Sequence, residues 1–324
     1  MAPSCSLKRL AVCVAICVGI FAIGIIGVCF YVWETNNDCD AVSRTNATAT
    51  GNTESDTASN GMERPCEAGD VREEYTAAGN MTTVNSNLTA YVSQPREMSC
   101  KGAVLVFHDI FGLDIGANRA AADELARNGY TAVLPDLFRG NPWTSSSDWR
   151  QFGIWMSGHP QERINNDVDA TLEFIEQSLD YDDIGIVGFC WGGTQVILGT
   201  ARLAARIKAG ISFYGSVQVM TPQDILAMRA PTLLVHAEND TVVPLAAVQN
   251  QEILLQDANR LLRSVDDNDA NIDPSLVTFV KVFEGVEHGF AHRGDRNDPF
   301  IMQAAAEAFS DMYTWLDKYL PKRN

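Results

Sequence analysis

The chain has 324 residues, of which 46% are hydrophobic and 20% charged, and this globular composition excludes a mostly disordered or collagen-like chain. Its 41 acidic side chains outnumber its 24 lysines and arginines, which gives a formal net charge of −17. Because an acidic surface repels phosphate backbones, we do not expect the chain to bind nucleic acid. Eight cysteines in a chain of this length are too sparse for a disulfide scaffold.

An apolar run over residues 10–33 predicts a transmembrane signal anchor. The run contains no charged residue, and as a helix it would extend roughly 36 Å, enough to cross a hydrocarbon core of roughly 30 Å. Lys8 and Arg9 precede the run and acidic residues follow it, which favours a short cytosolic tail over residues 1–9. The alternative is a cleaved signal peptide, although the run is longer than the usual apolar core and no clean cleavage site follows it.

Residues 34–74 are rich in Thr, Asn, Ser, Gly and Asp and have almost no large apolar side chains. Such a segment cannot bury enough surface to offset its ordering entropy, so we expect a disordered stalk. Glycosylation sequons occur in it or just after it, at Asn46, Asn80 and Asn87, and they favour a lumenal or extracellular body. A fourth sequon, at Asn239, adjoins a candidate catalytic aspartate, and we expect it to stay unmodified.

The body, residues 75–324, alternates strand-like and helix-like segments. Strands are predicted at 87–93, 103–107, 131–135, 184–188, 209–214, 232–236 and 277–283, and helices at 118–128, 167–179, 192–206 and 301–319. Continuous apolar runs such as residues 103–107 are typical of strands buried in a parallel sheet. The alternation predicts a single α/β domain that has a mainly parallel sheet with helices on both faces.

The turn around Cys190 is predicted to be a nucleophile elbow. A strand, the turn GFCWGG and a helix follow one another here, and Gly188 and Gly192 stand where a tight turn leaves no room for side chains. The N-terminus of the following helix favours the thiolate, which is the reactive form of cysteine. The alternative interpretation is a buried structural cysteine beside a glycine turn.

Two further loops, each after a predicted strand, supply the partners of such a nucleophile. Asp240 and His288 follow Cys190 in the chain order of α/β-hydrolases: nucleophile, acid, histidine. We expect His288 to take the thiol proton and Asp240 to orient the imidazole and stabilise its charged form. Glu238 is the rival acid, and the other histidines are rivals of His288. Because no cluster has metal-ligand spacing, we expect no metal and no other cofactor.

The loop at residues 108–113 follows the first buried strand, where an α/β-hydrolase supplies one of its oxyanion-hole amides. The other amide belongs to the residue after the nucleophile. The candidates are therefore the backbone N–H groups of Ile110 and Trp191.

An aromatic segment at residues 142–163 lies between a predicted strand and a predicted helix. It contains Trp143, Trp149, Phe152 and Trp155. The segment is either a surface excursion with its own small core or a lid over the pocket.

Five motifs, in order, resemble the dienelactone hydrolase (carboxymethylenebutenolidase) family of α/β-hydrolases. They are HDIFGL at 108–113, GYTAVLPDLFRG at 129–140, GFCWGG at 188–193, ENDTVVP at 238–244 and EHGF at 287–290. The resemblance covers roughly residues 80–322. It implies the α/β-hydrolase fold and an enzyme that cleaves a small-molecule ester or lactone. By the same resemblance Cys190, Asp240 and His288 form the triad, and the reaction passes through a thioester acyl-enzyme.

The chain departs from this family at the positions that set its specificity. Bacterial lactone hydrolases restrain the resting thiol with a glutamate in the first loop, and Asp109, one methylene shorter, occupies that position. Their arginines bind the substrate carboxylate; Arg150 falls near one of them, and Arg293 falls near the other, where His292 takes the matching place. Dienelactone specificity is therefore not expected to carry over. The alternative function is a catalytically weak or inactive domain displayed at a membrane as a binding module.

Cysteines outside the apolar run and the elbow could form a disulfide. Beyond the predicted anchor they are Cys39, Cys66 and Cys100. A body on the non-cytosolic side would permit one disulfide among them, and we favour Cys66–Cys100.

Overall fold

The structure, a computed structural model, describes residues 75–96, 100–267, 271–273 and 276–320. All of them belong to the second of the two units into which the chain divides, residues 61–324. The predicted cytosolic tail, signal anchor and stalk, together with the sequon at Asn46, lie outside the described residues. None of the helices among the described residues combines the length and the hydrophobicity that a membrane span requires.

Eight strands and eight α-helices alternate along the described residues. The strands are β1 Asn80–Asn85, β2 Leu88–Ser93, β3 Gly102–Phe107, β4 Tyr130–Pro135, β5 Ile184–Phe189, β6 Ala209–Phe213, β7 Thr232–Ala237 and β8 Thr278–Phe283. The helices are α1 Gly116–Arg127, α2 Phe152–Ser157, α3 Gln161–Ser178, α4 Trp191–Arg202, α5 Pro222–Leu226, α6 Leu245–Asp257, α7 Phe290–Arg293 and α8 Pro299–Tyr319.

The strands form one eight-stranded sheet in the order β1-β2-β4-β3-β5-β6-β7-β8. The pairs β1–β2 and β2–β4 are antiparallel, and every other neighbouring pair is parallel. Strands β3, β4, β5 and β7 are buried along their whole length, as their continuous apolar sequences predict. The predicted mainly parallel α/β architecture is confirmed.

Helices cover both faces of this sheet. On one face α1 and α8 pack against the strands through side chains such as Leu125 and Trp315. On the other face α3, α4 and α6 do so, for example through Leu172, Val196 and Leu255. The prediction of helices on both faces is therefore confirmed.

The sheet brings the carboxyl ends of its parallel strands to one edge. Phe107 at the end of β3 pairs with Gly188 near the end of β5, and Phe189 pairs with Phe213 at the end of β6. Ala237 of β7 pairs with Phe283 of β8. Because ligands in such sheets bind beyond the strand ends, the loops that leave these strands define the candidate site.

The structure differs from the sequence-based expectation in a few elements. Strand β1, which pairs with β2 at the antiparallel end of the sheet, was not predicted. Helix α6 was not predicted either: its buried side chains Val248, Gln251 and Leu255 include a polar one, and the apolar Ile253 is 55% exposed. Without a continuous apolar stripe, the helical period does not stand out in the sequence.

Candidate active site

Cys190 stands at the tip of a strained turn between β5 and α4. Its backbone has φ 56° and ψ −117°, a left-handed conformation that non-glycine residues rarely adopt. A Cβ on Gly188 would lie 2.2 Å from the Gly192 carbonyl oxygen, and one on Gly192 would lie 2.3 Å from the Phe107 carbonyl oxygen. These close backbone approaches explain why both flanking positions are glycine. The geometry is that of a nucleophile elbow.

Asp240 and His288 are hydrogen-bonded to each other. His288 Nδ1 lies 2.7 Å from Asp240 Oδ2, and both side chains are buried. The other carboxylate oxygen of Asp240 accepts hydrogen bonds from the backbone N–H groups of Val242 and Val243, at 2.8 and 2.7 Å. The loop after β7 therefore fixes the carboxylate, and the carboxylate in turn orients the imidazole.

The rival residues have other partners. Glu238 is exposed and accepts the backbone N–H of Gly285 at 2.9 Å. In the buried ring of His108, Nδ1 lies 2.7 Å from the Asp109 carbonyl oxygen, and Nε2 accepts a hydrogen bond from the Leu137 backbone N–H at 3.2 Å. His159 is hydrogen-bonded to Arg163 at 3.0 Å. The buried position of His236 lowers its pKa to about 4.

The residues that carry the two predicted oxyanion amides line the same cavity as Cys190. Ile110, Cys190 and Trp191 all line it. Trp191 is the first residue of α4, so its N–H belongs to the group of helix N-terminal amides that have no intrahelical acceptor. Such an amide is available to a developing negative charge.

Four buried side chains behind the strand ends form a connected network, here named the buried polar cluster: Asp109, Tyr214, His292 and Arg293. Asp109 Oδ2 lies 2.8 Å from Arg293 Nε and 3.2 Å from His292 Nε2. The hydroxyl of Tyr214 lies 2.6 Å from His292 Nδ1, and its ring contacts the ring of His288 edge-on at 5.0 Å. The cluster thus connects the loop after β3 with the loop that carries His288.

Asp109 also fixes the shape of its own loop. Its Oδ1 accepts hydrogen bonds from the Phe111 backbone N–H at 3.0 Å and from Asn118 Nδ2 at 2.9 Å. Asn118 donates in addition to the Gly112 carbonyl at 2.8 Å. Ile110, the predicted oxyanion donor, lies inside this hydrogen-bonded loop.

The charges of the cluster follow from burial and from Arg293. Burial by itself would raise the pKa of Asp109, but the Arg293 guanidinium and the bonds from His292 and Asn118 outweigh it and hold that pKa below its usual range. Burial lowers the pKa of His292 to about 4, although the Asp109 carboxylate acts in the opposite direction. At neutral pH the cluster therefore holds an ionised Asp109–Arg293 pair and a neutral His292.

A cavity of about 660 Å³ opens at Cys190, a size that suits a small-molecule substrate. Its lining consists of Ile110, Trp149, Phe152, Met156, Gln161, Cys190, Trp191, Thr194, Gln195, Leu198, Ser216, Gln218, Val219, Met220, Asp224 and Val242. Apolar side chains dominate this lining. Among these described residues, none is a lysine, an arginine or a histidine.

One side of the cavity is an aromatic wall, made of Trp149, Phe152 and Met156 in the 142–163 segment. The segment also has a core of its own, in which Trp143 is buried with Ile110 and Phe111 and contacts the ring of Trp149 at 5.2 Å. The segment therefore has a small core of its own, as the first interpretation expects, and it lines the pocket; its action as a lid stays a prediction.

Neither predicted substrate-binding arginine lines the cavity. The side chain of Arg150 is 79% exposed and pairs with Asp148 at 2.8 Å. Arg293 is buried and pairs with Asp109 at 2.8 Å. The two positions do not come together in the structure.

The remaining predicted positions lie on the surface or near it. Asn80 and Asn87 are exposed in the hairpin of β1 and β2, and Asn239 is exposed directly before Asp240. Cys100 is a free thiol whose Sγ lies 3.2 Å from the Gly102 carbonyl oxygen. Cys39 and Cys66 lie outside the described residues, so the Cys66–Cys100 pairing stays a prediction.

Residues 88–320 match the model of the dienelactone hydrolase family. The chain belongs to the dienelactone hydrolase family. It is 36% identical to a carboxymethylenebutenolidase homolog of Mus musculus over 260 residues, which cover 79% of this chain and 97% of the relative. It is 35% identical to the homolog of Homo sapiens over 259 residues, with the same coverage. Membership indicates a hydrolase of ester or lactone bonds and does not favour the alternative of an inactive binding module.

A solved structure supports the fold of this dienelactone hydrolase family member independently. The structure of a putative dienelactone hydrolase from Klebsiella pneumoniae matches with a TM-score of 0.62 and 22% identity, over 75% of this chain and all of that chain. A thermophilic esterase of Thermogutta terrifontis matches with a TM-score of 0.53 and 13% identity, over 76% and 95% of the two chains. At these identities the matches show the shared fold alone.

Sequence reasoning missed two residues that contact the site. Tyr214 follows β6 at the same edge as the triad candidates, and its position directly after a strand was the available signal. Asn118 was predicted only as part of a helix. Its bond to Asp109 depends on how α1 begins, and no local pattern marks that contact.

Proposed function

We propose that this enzyme hydrolyses esters or lactones with Cys190 as nucleophile, His288 as general base and Asp240 as the acid that orients His288. The observation that carries the proposal is the 2.7 Å contact between His288 Nδ1 and Asp240 Oδ2, at the strand ends that also carry the Cys190 turn. A carboxylate on Nδ1–H selects the tautomer in which Nε2 accepts a proton. Membership of the family, whose motifs include these positions, supports the same assignment.

In the acylation step the Cys190 thiol gives its proton to His288 Nε2, and the sulfur attacks the substrate carbonyl carbon. A carbon–sulfur bond forms, and the carbonyl oxygen becomes an oxyanion that accepts hydrogen bonds from the N–H groups of Ile110 and Trp191. The carbon–oxygen bond of the ester then breaks. His288 returns the proton to the leaving alkoxide, and a thioester on Cys190 remains.

In the deacylation step water gives a proton to His288 Nε2 and attacks the thioester carbonyl. The same two amides stabilise the second oxyanion. The carbon–sulfur bond breaks, the sulfur recovers the proton from His288, and the carboxylic acid leaves. Asp240 keeps the imidazole in place and stabilises its charged form in both steps.

Asp109 is proposed to hold the loop that presents the Ile110 N–H. Its carboxylate accepts from Phe111 N–H and Asn118 and pairs with Arg293, so the loop geometry depends on it. The resemblance to bacterial lactone hydrolases suggests a second role, restraint of the resting thiol. Alkylation of Cys190 by iodoacetamide in Asp109→Ala separates these roles: restraint predicts a changed rate, and an unchanged rate would leave Asp109 a role in the loop alone.

A panel of 4-nitrophenyl and naphthyl esters tests the reaction itself. We expect hydrolysis that iodoacetamide abolishes and that is lost in Cys190→Ala. Cys100→Ala is the matched control, because Cys100 is a half-buried free thiol that does not line the cavity. Full activity in Cys190→Ala would refute the assignment.

The placement of the enzyme is a separate proposal: residues 10–33 anchor it in a membrane, with the hydrolase domain lumenal or extracellular. The charge pattern around the run supports this orientation, and the exposure of Asn80 and Asn87 is compatible with glycosylation. The full-length protein should resist carbonate extraction and shift in mobility after glycosidase digestion. Asn80→Gln and Asn87→Gln should each reduce the shift. Release by carbonate without any shift would show that the anchor interpretation is wrong.

A further inference from the structure

The charges around the cavity bear on the choice of substrate. Among its described lining residues, Asp224 is the one with a carboxyl side chain, and none has a basic side chain. The hydrogen bonds of Asp224 Oδ2 come from the backbone N–H and the hydroxyl of Thr221, at 2.8 and 2.7 Å. Both donors are neutral, so neither of these hydrogen bonds pairs the carboxylate with a cation.

The two arginines predicted to recognise an anionic substrate are paired with aspartates of this chain instead. Arg293 is the buried partner of Asp109, and releasing it would leave an unpaired charge in the interior. Arg150 points its guanidinium at Asp148 on the exposed side of its turn. The net charge of −17 adds a long-range repulsion.

The rest of the lining favours apolar groups. Trp149, Phe152 and Met156 form the aromatic wall, and Val219, Met220 and Val242 contribute further apolar surface to the lining. Val219 is 74% exposed although it lines the cavity, so it lies where the cavity meets solvent. An exposed apolar residue at such a position is suited to an apolar substituent that enters from water.

We propose that the enzyme takes neutral esters or lactones with an apolar acyl or alkoxy group and discriminates against substrates that carry a carboxylate. The inference rests on the proposed function, because it assigns the substrate class of the same Cys190 site. A carboxylate entering this cavity loses hydration and gains no cationic partner, while Asp224 repels it. An alkyl or aryl group in the same place is transferred from water to an apolar surface.

Two substrates of equal length test the proposal: 4-nitrophenyl hexanoate and mono-4-nitrophenyl adipate, which ends in a carboxylate. The wild-type enzyme should show a kcat/KM at least about tenfold higher for the hexanoate, the range that one well-placed substrate group gives. The preference should narrow in high salt, because part of the repulsion is screened.

Val219→Arg places a cation at the mouth of the cavity. Because the side chain is exposed, this variant should raise kcat/KM for the adipate about threefold, the effect of one exposed charge pair. It also removes apolar surface from the mouth of the cavity, so kcat/KM for the hexanoate should not rise and the ratio of hexanoate to adipate should fall. Asp224→Asn should act in the same direction. Ile253→Arg is the matched control, since Ile253 is 55% exposed on α6 and does not line the cavity; it should leave the ratio of the two substrates unchanged.

The outcomes separate this inference from the function on which it rests. Hydrolysis that depends on Cys190, with adipate preferred or equal to hexanoate, would overturn the neutral-substrate inference and leave the hydrolase assignment intact. Failure to hydrolyse either ester in a Cys190-dependent way would overturn the proposed function and the inference with it. Hexanoate preference that Val219→Arg reduces and Ile253→Arg does not is the result expected.

Discussion

The buried polar cluster connects the loops that carry Ile110 and His288, whereas the aromatic wall lines the cavity, and the two regions are built differently. In the cluster, the side chains of Asp109 and His292 are fully buried, and polar contacts of 2.6 to 3.2 Å connect its four members. The wall belongs to a segment whose helix α2 has no buried residue and whose rings contact one another at about 5 Å. Directional bonds fix the loops that carry the chemistry, whereas apolar contacts tolerate exchange of side chains. The difference predicts that substitutions in the two regions have different consequences.

The largest expected effect comes from the proposed nucleophile and base. Cys190→Ala and His288→Ala should each lower kcat by about a thousandfold or more, and the double variant should be little worse than either, because the residues act as a unit. Asp240→Asn should also be severely impaired, since the amide cannot select the same imidazole tautomer. Steady-state kinetics on 4-nitrophenyl hexanoate measure all four variants. Additive losses in the double variant would mean that the two residues act independently.

Breaking the ion pair of the buried polar cluster should cost stability as well as activity. Asp109→Asn leaves the Arg293 charge buried without its partner, and it should lower the free energy of unfolding by about 3 kcal/mol. The control is Asp169→Asn, which removes the exposed partner of Arg202 and should cost under about 1 kcal/mol. Urea unfolding followed by fluorescence compares the two. Equal losses of unfolding free energy in the two variants would show that the buried pair stabilises the fold no more than the exposed pair does.

A change in the aromatic wall should alter selectivity with less effect on the reaction. Trp149→Ala enlarges the cavity, so kcat/KM for 4-nitrophenyl hexanoate should fall about tenfold relative to 4-nitrophenyl acetate. Trp143→Ala is the control: Trp143 is buried in the same aromatic group but does not line the cavity. It should lower thermal stability and leave the ratio of the two esters unchanged. If the ratio of kcat/KM for the hexanoate to that for the acetate changed only in Trp143→Ala, the assignment of Trp149 to the wall of the cavity would be wrong.

The smallest expected effect concerns pH. His236 and His292 have pKa values of about 4 in the folded state and about 6.5 when unfolded. Each takes up a proton on unfolding between these values, so its contribution to stability is complete above pH 6.5 and is lost as the pH falls toward 4.

The resulting loss should be about 1 kcal/mol per pH unit for each histidine near pH 5.5. Urea unfolding at a series of pH values between 5 and 8 measures it. His292→Gln, which keeps a hydrogen-bonding side chain, should show a shallower slope than the wild-type protein. An identical slope in both proteins would mean that His292 does not titrate as its burial implies.

Much of the site could be predicted because its residues lie in the loops that follow predicted strands. The runs that became β5, β7 and β8 place Cys190, Asp240 and His288 at strand ends, and the physics of a parallel sheet brings such ends to one edge. The predicted positions of these strands agree with the structure to within one residue at each end. The proximity of Asp240 and His288 therefore follows from the pattern, although their catalytic roles remain predictions.

The contacts of Arg293 and Tyr214 could not be predicted in this way. Arg293 was a candidate for substrate binding, but its partner is Asp109 in a loop on the other side of the Cys190 strand. Tyr214 bonds His292 across 78 positions of the chain. Such pairs form only when the loops after β3, β6 and β8 have packed together, and no local period or motif encodes them.

The most direct test of the account is the identity of the acylated residue. Brief reaction with 4-nitrophenyl hexanoate, an acid quench and peptide mass spectrometry locate the acyl group. Catalysis by Cys190 predicts one hexanoyl group on the peptide that contains Cys190, removable by hydroxylamine at neutral pH as a thioester is, and its absence in Cys190→Ala. A hexanoyl group on another residue that forms and decays at the rate of turnover would contradict the proposed nucleophile.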